Sequence, residues 1–361
     1  MLYFRYRKGD EFSIKELIYN ELYFASPEES NDSEEGKTFI KFKSEELKWR
    51  KVFYNNDIFP ELCENKDLLD KIVKLFSSKS EWTLAEILSL KEDAFSFLGN
   101  YSGLFVYLLR QYFTNSCNHL AKYFVSFSKK FNDSYMWKNY ANDYQGFCLI
   151  FDFKNNHVHQ DPKNLKTQLR IKEFICLSYN VYAQIPEYFE LNDITYYSKI
   201  KVFDGFLGFD KEKYQKYREE ITAAYQQKKA EKWKYEVESR ILLEMDRGVC
   251  GESEFSPFQR LFHYDFNQLV GIVFGQKMPQ EKREQIKEII CEKIKSNRRE
   301  DFVRDFFYIL EETTSEDKLN PEIKPIEMFL PSTKLITLKD KNFDQYWQRF
   351  QQILANNQVN N

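Results

Sequence analysis

The 361-residue chain has little net charge, few glycines, few histidines and no long apolar run. Each shortage excludes something. Fifty-three basic against 56 acidic residues give a formal charge of −3, which argues against a protein held to nucleic acid by bulk charge but leaves local basic patches open. No apolar run reaches membrane-spanning length, and the opening MLYFRYRKGDEF carries no charged-then-apolar leader. A cytoplasmic protein with no membrane partner is therefore expected. Six cysteines, Cys63, Cys117, Cys148, Cys176, Cys250 and Cys291, show no paired spacing, which points to buried free thiols in a reducing compartment rather than a disulfide framework. His157, His159 and Asp161 stand at alternate positions among Asn, Gln, Lys and Pro, the composition of a solvated loop. No His or Asp/Glu/Lys cluster has metal spacing, so no metal is expected and a nuclease is disfavoured. Only 11 glycines beside 17% aromatic residues imply a well-packed chain, long enough to bury a sizeable core.

The chain is organised around the stretch from Ala121 to Asp152. Tyr123, Val125 and Phe127 alternate with Phe124, Ser126 and Ser128, which predicts a strand with both serines on one face. Phe131 to Ser134 is turn chemistry, with Ser134 as the expected cap of a short helix carrying Met136, Trp137, Tyr140 and Ala141 on one side. Gly146 ends that unit. Phe147 to Phe153 then reads as a strand buried on both faces.

Around this unit the pattern predicts an α+β fold with a central mixed sheet. Its strands are expected near Leu2–Arg7, Glu21–Ser26, Lys122–Ser128, Gly146–Phe153, Ile171–Leu177, Tyr235–Glu244 and Gln268–Phe274. Residues 44–118 switch to helical period and read as a large helical insertion, which divides the chain into 1–43 with 119–361 and an inserted 44–118. Ser13 is the expected cap of a first helix. Further helices are expected over Glu187–Asp204 and Asp210–Lys229, with Pro279 at the first position of a long one. Phe302 to Leu310 fits strand or helix equally. Asn31-Asp32 sits in an acidic loop from Pro27 to Gly36, where an Asx-turn is the simplest reading.

The segment MWKNYANDYQGFCLIFD, with LYFRYR, ELYFASPEESND, WKYEVESRILLE and LVGIVFGQKMPQEKREQIKEII in the same order, resembles a bacterial domain-of-unknown-function family, number 2971. That family usually has Phe-Asn-Asp-Pro where this chain has Ser30-Asn31-Asp32-Ser33.

Glu236 and Glu238 are two apart. On a strand both carboxylates project from one face and perturb each other; on a helix they diverge, and Glu236 and Arg240 become an i,i+4 ion pair. Val237, Ser239 and Ile241 to Leu243 favour a strand from about Tyr235. An arginine on the first strand, Ser-x-Ser on a middle one and Glu-x-Glu on a later one is similar to the pattern of arginine-type ADP-ribosyltransferases, here Arg5, Ser126 with Ser128, and Glu236 with Glu238. The strand–helix–strand opening also resembles that superfamily's first nicotinamide-binding unit. The resemblance implies an ADP-ribosyltransferase-like sheet that takes NAD as a substrate. In such a site Glu238 would stabilise the oxocarbenium-like ribose, Glu236 would orient the acceptor, Ser126 would hold Glu238 and Arg5 would bind the phosphates. Tyr3, Ser128, Asn31, Asp32, Trp137 and Tyr140 are the other candidate NAD contacts, although Trp137 and Tyr140 at helical spacing also fit a core. The function expected is an NAD-consuming transferase or glycohydrolase, a toxin-like or phage-defence effector with a protein or nucleic-acid acceptor. The alternative is a non-enzymatic binding module of a defence or stress system.

Overall fold

The structure, a computed structural model, describes residues 1–30, 39–54, 65–117, 120–174, 179–198, 201–224, 227–246, 255–297, 306–313 and 322–359. Among the described residues twenty strands follow in chain order. The first seven are β1 (Leu2–Arg7), β2 (Glu21–Tyr23), β3 (Phe39–Lys43), β4 (Glu81–Thr83), β5 (Leu120–Ser128), β6 (Phe147–Asp152) and β7 (His157–His159). Next come β8 (Gln168–Phe174), β9 (Tyr179–Gln184), β10 (Tyr188–Glu190), β11 (Asn192–Asp193), β12 (Thr195–Tyr197), β13 (Val202–Asp204) and β14 (Gln227–Lys229). The last six are β15 (Glu238–Asp246), β16 (Leu261–His263), β17 (Leu269–Phe274), β18 (Phe307–Thr313), β19 (Glu322–Phe329) and β20 (Leu335–Thr337).

The fold is α+β. Nine strands form one mixed sheet in the order β11-β15-β5-β1-β6-β17-β18-β19-β20, in which β17 and β18 run parallel and the other pairs antiparallel. Its centre is apolar on both faces because the strands alternate between two cores. Tyr3 joins Val125, Phe127, Leu149 and Ile241 on one side, under the helix Gln280–Ser296 that buries Ile286, Ile290 and Ile294. Leu2, Phe4 and Tyr6 join Met136, Trp137, Cys148 and Ile150 on the other, with Phe343 and Phe350 of the last helix. The described residues of 46–54 and 65–117 are mostly helical and build a third core around Trp49, Phe76 and Phe113. That core also takes in Phe42, Phe203, Tyr217 and Ile221, so it draws on chain from both sides of the helical stretch. Among the described residues no helix is long and apolar enough to cross a membrane.

Several expectations are corrected. The stretch Glu187–Asp204 is not a helix; it holds β10 to β13, where Tyr188, Phe189, Thr195, Tyr196 and Phe203 follow their strand preference. Among the described residues of Asp210–Lys229, the α-helix covers Tyr214–Ala224 and Gln227–Lys229 is β14. Of the strand expected over Ile171–Leu177, the part up to Phe174 lies in β8, which pairs with β9 apart from the central sheet; the rest lies outside the described residues. Glu21–Ser26 likewise pairs mainly with β16, and among the described residues its one backbone bridge to the large sheet is at Ala25. Caps shift by one or a few residues. Asp10, not Ser13, caps Glu11–Tyr19 by accepting the Ser13 N–H at 2.8 Å, and Asp133, not Ser134, caps Ser134–Tyr140. Pro279 stands just before its helix rather than at its first position. Phe307–Thr313 is a strand.

Gly146 joins the short helix to β6 against the end of β1. A methyl group there would stand 2.0 Å from the Arg7 carbonyl oxygen, on a strand paired with β6, and 3.0 Å from that of Ala141, which accepts the Gly146 N–H. Gly146→Ala should therefore destabilise the fold by about 2 kcal/mol or more, the upper part of the range for overpacked sites. Urea denaturation of the two proteins checks this, and a loss under about 0.5 kcal/mol would mean that the strand end yields.

Candidate functional site

The large sheet parts in its middle. β5 pairs with β15 along its whole length and β1 with β6 along its whole length, yet β1 and β5 meet only at Phe4 and Ser128. Ala25 takes the inner edge of β5 instead, exchanging hydrogen bonds of 2.9 Å with Phe124 in both directions. On the opposite edge the Lys129 N–H donates to the Val237 carbonyl at 3.0 Å. Backbone groups of an antiparallel strand alternate sides, so the N–H and C=O of Ser126 are turned into the parting. A cleft of about 240 Å³ fills that parting and is lined from both faces of the sheet.

From one face come Arg5 and Phe127. Arg5 is 8% exposed, its Cζ lies 5.8 Å from the Phe127 ring centroid, and its Nη1 has no hydrogen-bond partner among the described residues. Burial lowers its pKa to about 10, so the guanidinium remains charged at neutral pH. Arg7 also lines the cleft and is bonded to Glu16. At the rim, Arg260 donates to both oxygens of Glu29 at 2.8 and 3.1 Å, while the Tyr23 hydroxyl donates to the same carboxylate at 2.9 Å.

From the other face come Ser126, Ser128 and Glu238. Glu238 lies opposite Ser128 across the β5–β15 ladder, and Arg240 opposite Ser126. Arg240 is 1% exposed; its Nε donates to Glu238 Oε1 at 2.6 Å and its Nη2 to Oε2 at 3.2 Å, with the guanidinium 4.1 Å above the Phe124 ring centroid. Glu236 is not on β15. It lies in a 3₁₀ turn, Lys234–Glu236, and Val237 in the left-handed conformation (φ 42°, ψ 59°) separates it from the strand. Ser128 Oγ donates to the Glu236 carbonyl at 2.7 Å, and the Tyr140 hydroxyl donates to Glu236 Oε1. Burial and the adjacent Glu236 carboxylate push the Tyr140 phenol well above its ordinary pKa, so it acts as a fixed donor.

Six of the residues singled out in the sequence therefore meet on the cleft: Arg5, Ser126, Ser128, Tyr140, Glu236 and Glu238. Two do not. Tyr3 is buried in the core, where its hydroxyl donates to Asn156 at 3.0 Å. Trp137 is fully buried, donates to the Phe131 carbonyl and packs edge-on against Tyr6 at 5.2 Å, so it backs a lining residue without touching the cleft. Asn31 and Asp32 lie outside the described residues. Glu238 is held by Arg240 rather than by Ser126, which is exposed into the cleft. Arg240 was detectable, because it shares a strand face with Glu238 two residues away. Glu29 and Arg260 were not, being 231 residues apart.

The site thus defines a mixed α+β protein with a charged cleft in a split sheet. Residues 136–241, which contain Tyr140, Glu236 and Glu238 but neither Arg5 nor Ser126, match the profile of a family described as Protein of unknown function (DUF2971). No curated protein and no solved structure is significantly similar to the chain.

The Glu29 carboxylate makes one feature of the rim pH-dependent. Burial raises its pKa, but hydrogen bonds from Arg260, the Ser26 N–H and Tyr23 outweigh that and bring it to about 2. A folded-state pKa below the unfolded one means the clasp stabilises the fold above the usual carboxylate range and loses that contribution as pH falls from about 4.5 towards about 2. Wild type should be more heat-stable than Glu29→Gln at neutral pH, with the gap closing across that window. A gap that does not change with pH, in thermal melts of both proteins, would overturn the assignment.

Proposed function

We propose that the cleft binds NAD and breaks its nicotinamide–ribose bond, so that the protein is an ADP-ribosyltransferase-like transferase or an NAD glycohydrolase. The observation that carries the reading is the convergence of Arg5, Ser126, Glu236, Glu238 and Tyr140 on one cleft from four separate stretches of chain. In this reading the carbon–nitrogen bond breaks heterolytically, nicotinamide leaves neutral with the bonding pair, and positive charge develops on the ribose. Glu238 faces that charge, fixed in orientation by Arg240. Glu236, bonded to Tyr140, receives the proton of water or of the acceptor. Arg5, whose Nη1 has no partner among the described residues, pairs with the substrate's phosphates. An enzyme of this kind would serve as a toxin-like or phage-defence effector.

The test follows nicotinamide release and transfer of label from NAD with wild type, Glu238→Gln, Glu236→Gln and Ser126→Ala. Glu238→Gln should lower turnover by on the order of a hundredfold or more. Because that change also leaves Arg240 buried with half of its partner, its thermal midpoint is measured alongside. Glu236→Gln should impair transfer more than hydrolysis, since only transfer needs an oriented acceptor. Folded wild type that releases no nicotinamide, with or without cell extract, would assign the cleft to binding alone.

A further inference from the structure

Beside the cleft runs a row of aromatic rings that the proposed chemistry does not use. Trp233 lines the cleft, its centroid lies 6.5 Å from that of Tyr235, and Tyr235 lies 4.4 Å from Tyr135, which is 57% exposed. The row leads from the cleft to solvent. Four exposed lysines frame it, Lys130, Lys138, Lys232 and Lys234. Lys138 stands one helical turn after Tyr135 on the same helix face, and the Lys232 ammonium is 4.6 Å from the Trp233 centroid. The two strips of chain are fastened together by the Ser128–Glu236 and Lys129–Val237 hydrogen bonds. Nearby acidic groups are already engaged: Asp133 caps its helix and lies 4.0 Å from Lys130, and Asp193 accepts from Lys129 and Ser239.

We propose that this row is an acceptor-docking platform and that the acceptor is single-stranded nucleic acid. Bases stack on Tyr135 and Tyr235 while the lysines take the phosphates, the combination that binds single strands without a sequence code. An acidic peptide would satisfy the lysines, but only a nucleic-acid strand carries a planar ring on every charged unit of its backbone. The consequence for chemistry rests on the cleft reading given above; docking itself does not. A base nitrogen delivered past Trp233 would form its bond to the ribose carbon as the bond to nicotinamide breaks, nicotinamide leaving with the electron pair and the acceptor proton passing to Glu236.

The experiment measures fluorescence anisotropy of labelled oligothymidylate and oligouridylate, without NAD, across a salt series. Wild type should bind saturably, with log affinity falling against log salt at a slope of about −3 for four phosphate contacts on a single strand. Tyr135→Ala should weaken binding on the order of tenfold while Tyr135→Phe binds like wild type, and the double substitution Lys130→Glu with Lys138→Glu should flatten the slope by about half. All three positions are exposed, so these variants should keep the fold and the nicotinamide release of wild type. Absence of oligonucleotide binding at low salt, or unchanged binding by Tyr135→Ala, would overturn the platform. Nicotinamide release without oligonucleotide binding would overturn the platform and leave the cleft reading standing; oligonucleotide binding without nicotinamide release would do the reverse.

Discussion

The parting of β1 from β5 is the constraint on which the rest of this structure depends. Two antiparallel strands that start in register at Phe4 and Ser128 would ordinarily continue to pair, and here Ala25 occupies the edge of β5 at Phe124 instead. The cost is a short run of strand backbone without its ladder partner, which is tolerable only where water or a ligand can reach it. The gain is access. A closed sheet would keep Arg5 on one face and Ser126 and Glu238 on the other, whereas the open one lets a single cleft touch both.

Charge inside the cleft follows from the same opening. Glu238 and Arg240 satisfy each other, as Glu29 and Arg260 do at the rim, and each pair contributes position rather than net charge. Arg5 differs, keeping a buried nitrogen unpartnered among the described residues. A buried guanidinium with an open donor is costly unless an anion completes it, which makes Arg5 the strongest indication that the cleft is built for something negatively charged.

Much of the centre was legible in sequence because its strands announce themselves by alternation. Leu2 to Arg7 and Tyr123 to Ser128 each alternate an apolar face with one that carries polar residues, and the structure seats Leu2, Phe4 and Tyr6 in one core and Tyr123, Val125 and Phe127 in the other. What escaped was non-local. No spacing rule places Glu29 against Arg260, or shows that β8 leaves the large sheet for β9. Residues 187–204 misled because charged and aromatic residues at mixed intervals imitate a helical face, while the strands they form are only two or three residues long and take their stability from neighbours. Trp137 shows the same limit at one residue: an aromatic beside a cleft and an aromatic behind it have the same local pattern, and only the Tyr6 ring between them separates the two roles.

The Glu-x-Glu pair reaches the cleft by a geometry other than the strand alternation that singled it out. A continuous strand would have aligned both carboxylates by simple alternation, but the strand stops at Glu238 and Val237 turns left-handed. For a β-branched residue that conformation is uncommon and costs of the order of 1–3 kcal/mol, so the surroundings must over-determine it. They do so on both sides of Val237: Ser128 holds the Glu236 carbonyl, Lys129 holds the Val237 carbonyl, and the Tyr196 hydroxyl accepts the Glu238 N–H at 3.0 Å. The strain thereby frees Glu236 from the strand's alternation and lets Tyr140 fix it independently of Glu238, which Arg240 fixes. Two carboxylates with separate supports can take separate roles, and the second serine of Ser126-x-Ser128 belongs to that support because its hydroxyl, not its position on a face, sets where Glu236 begins.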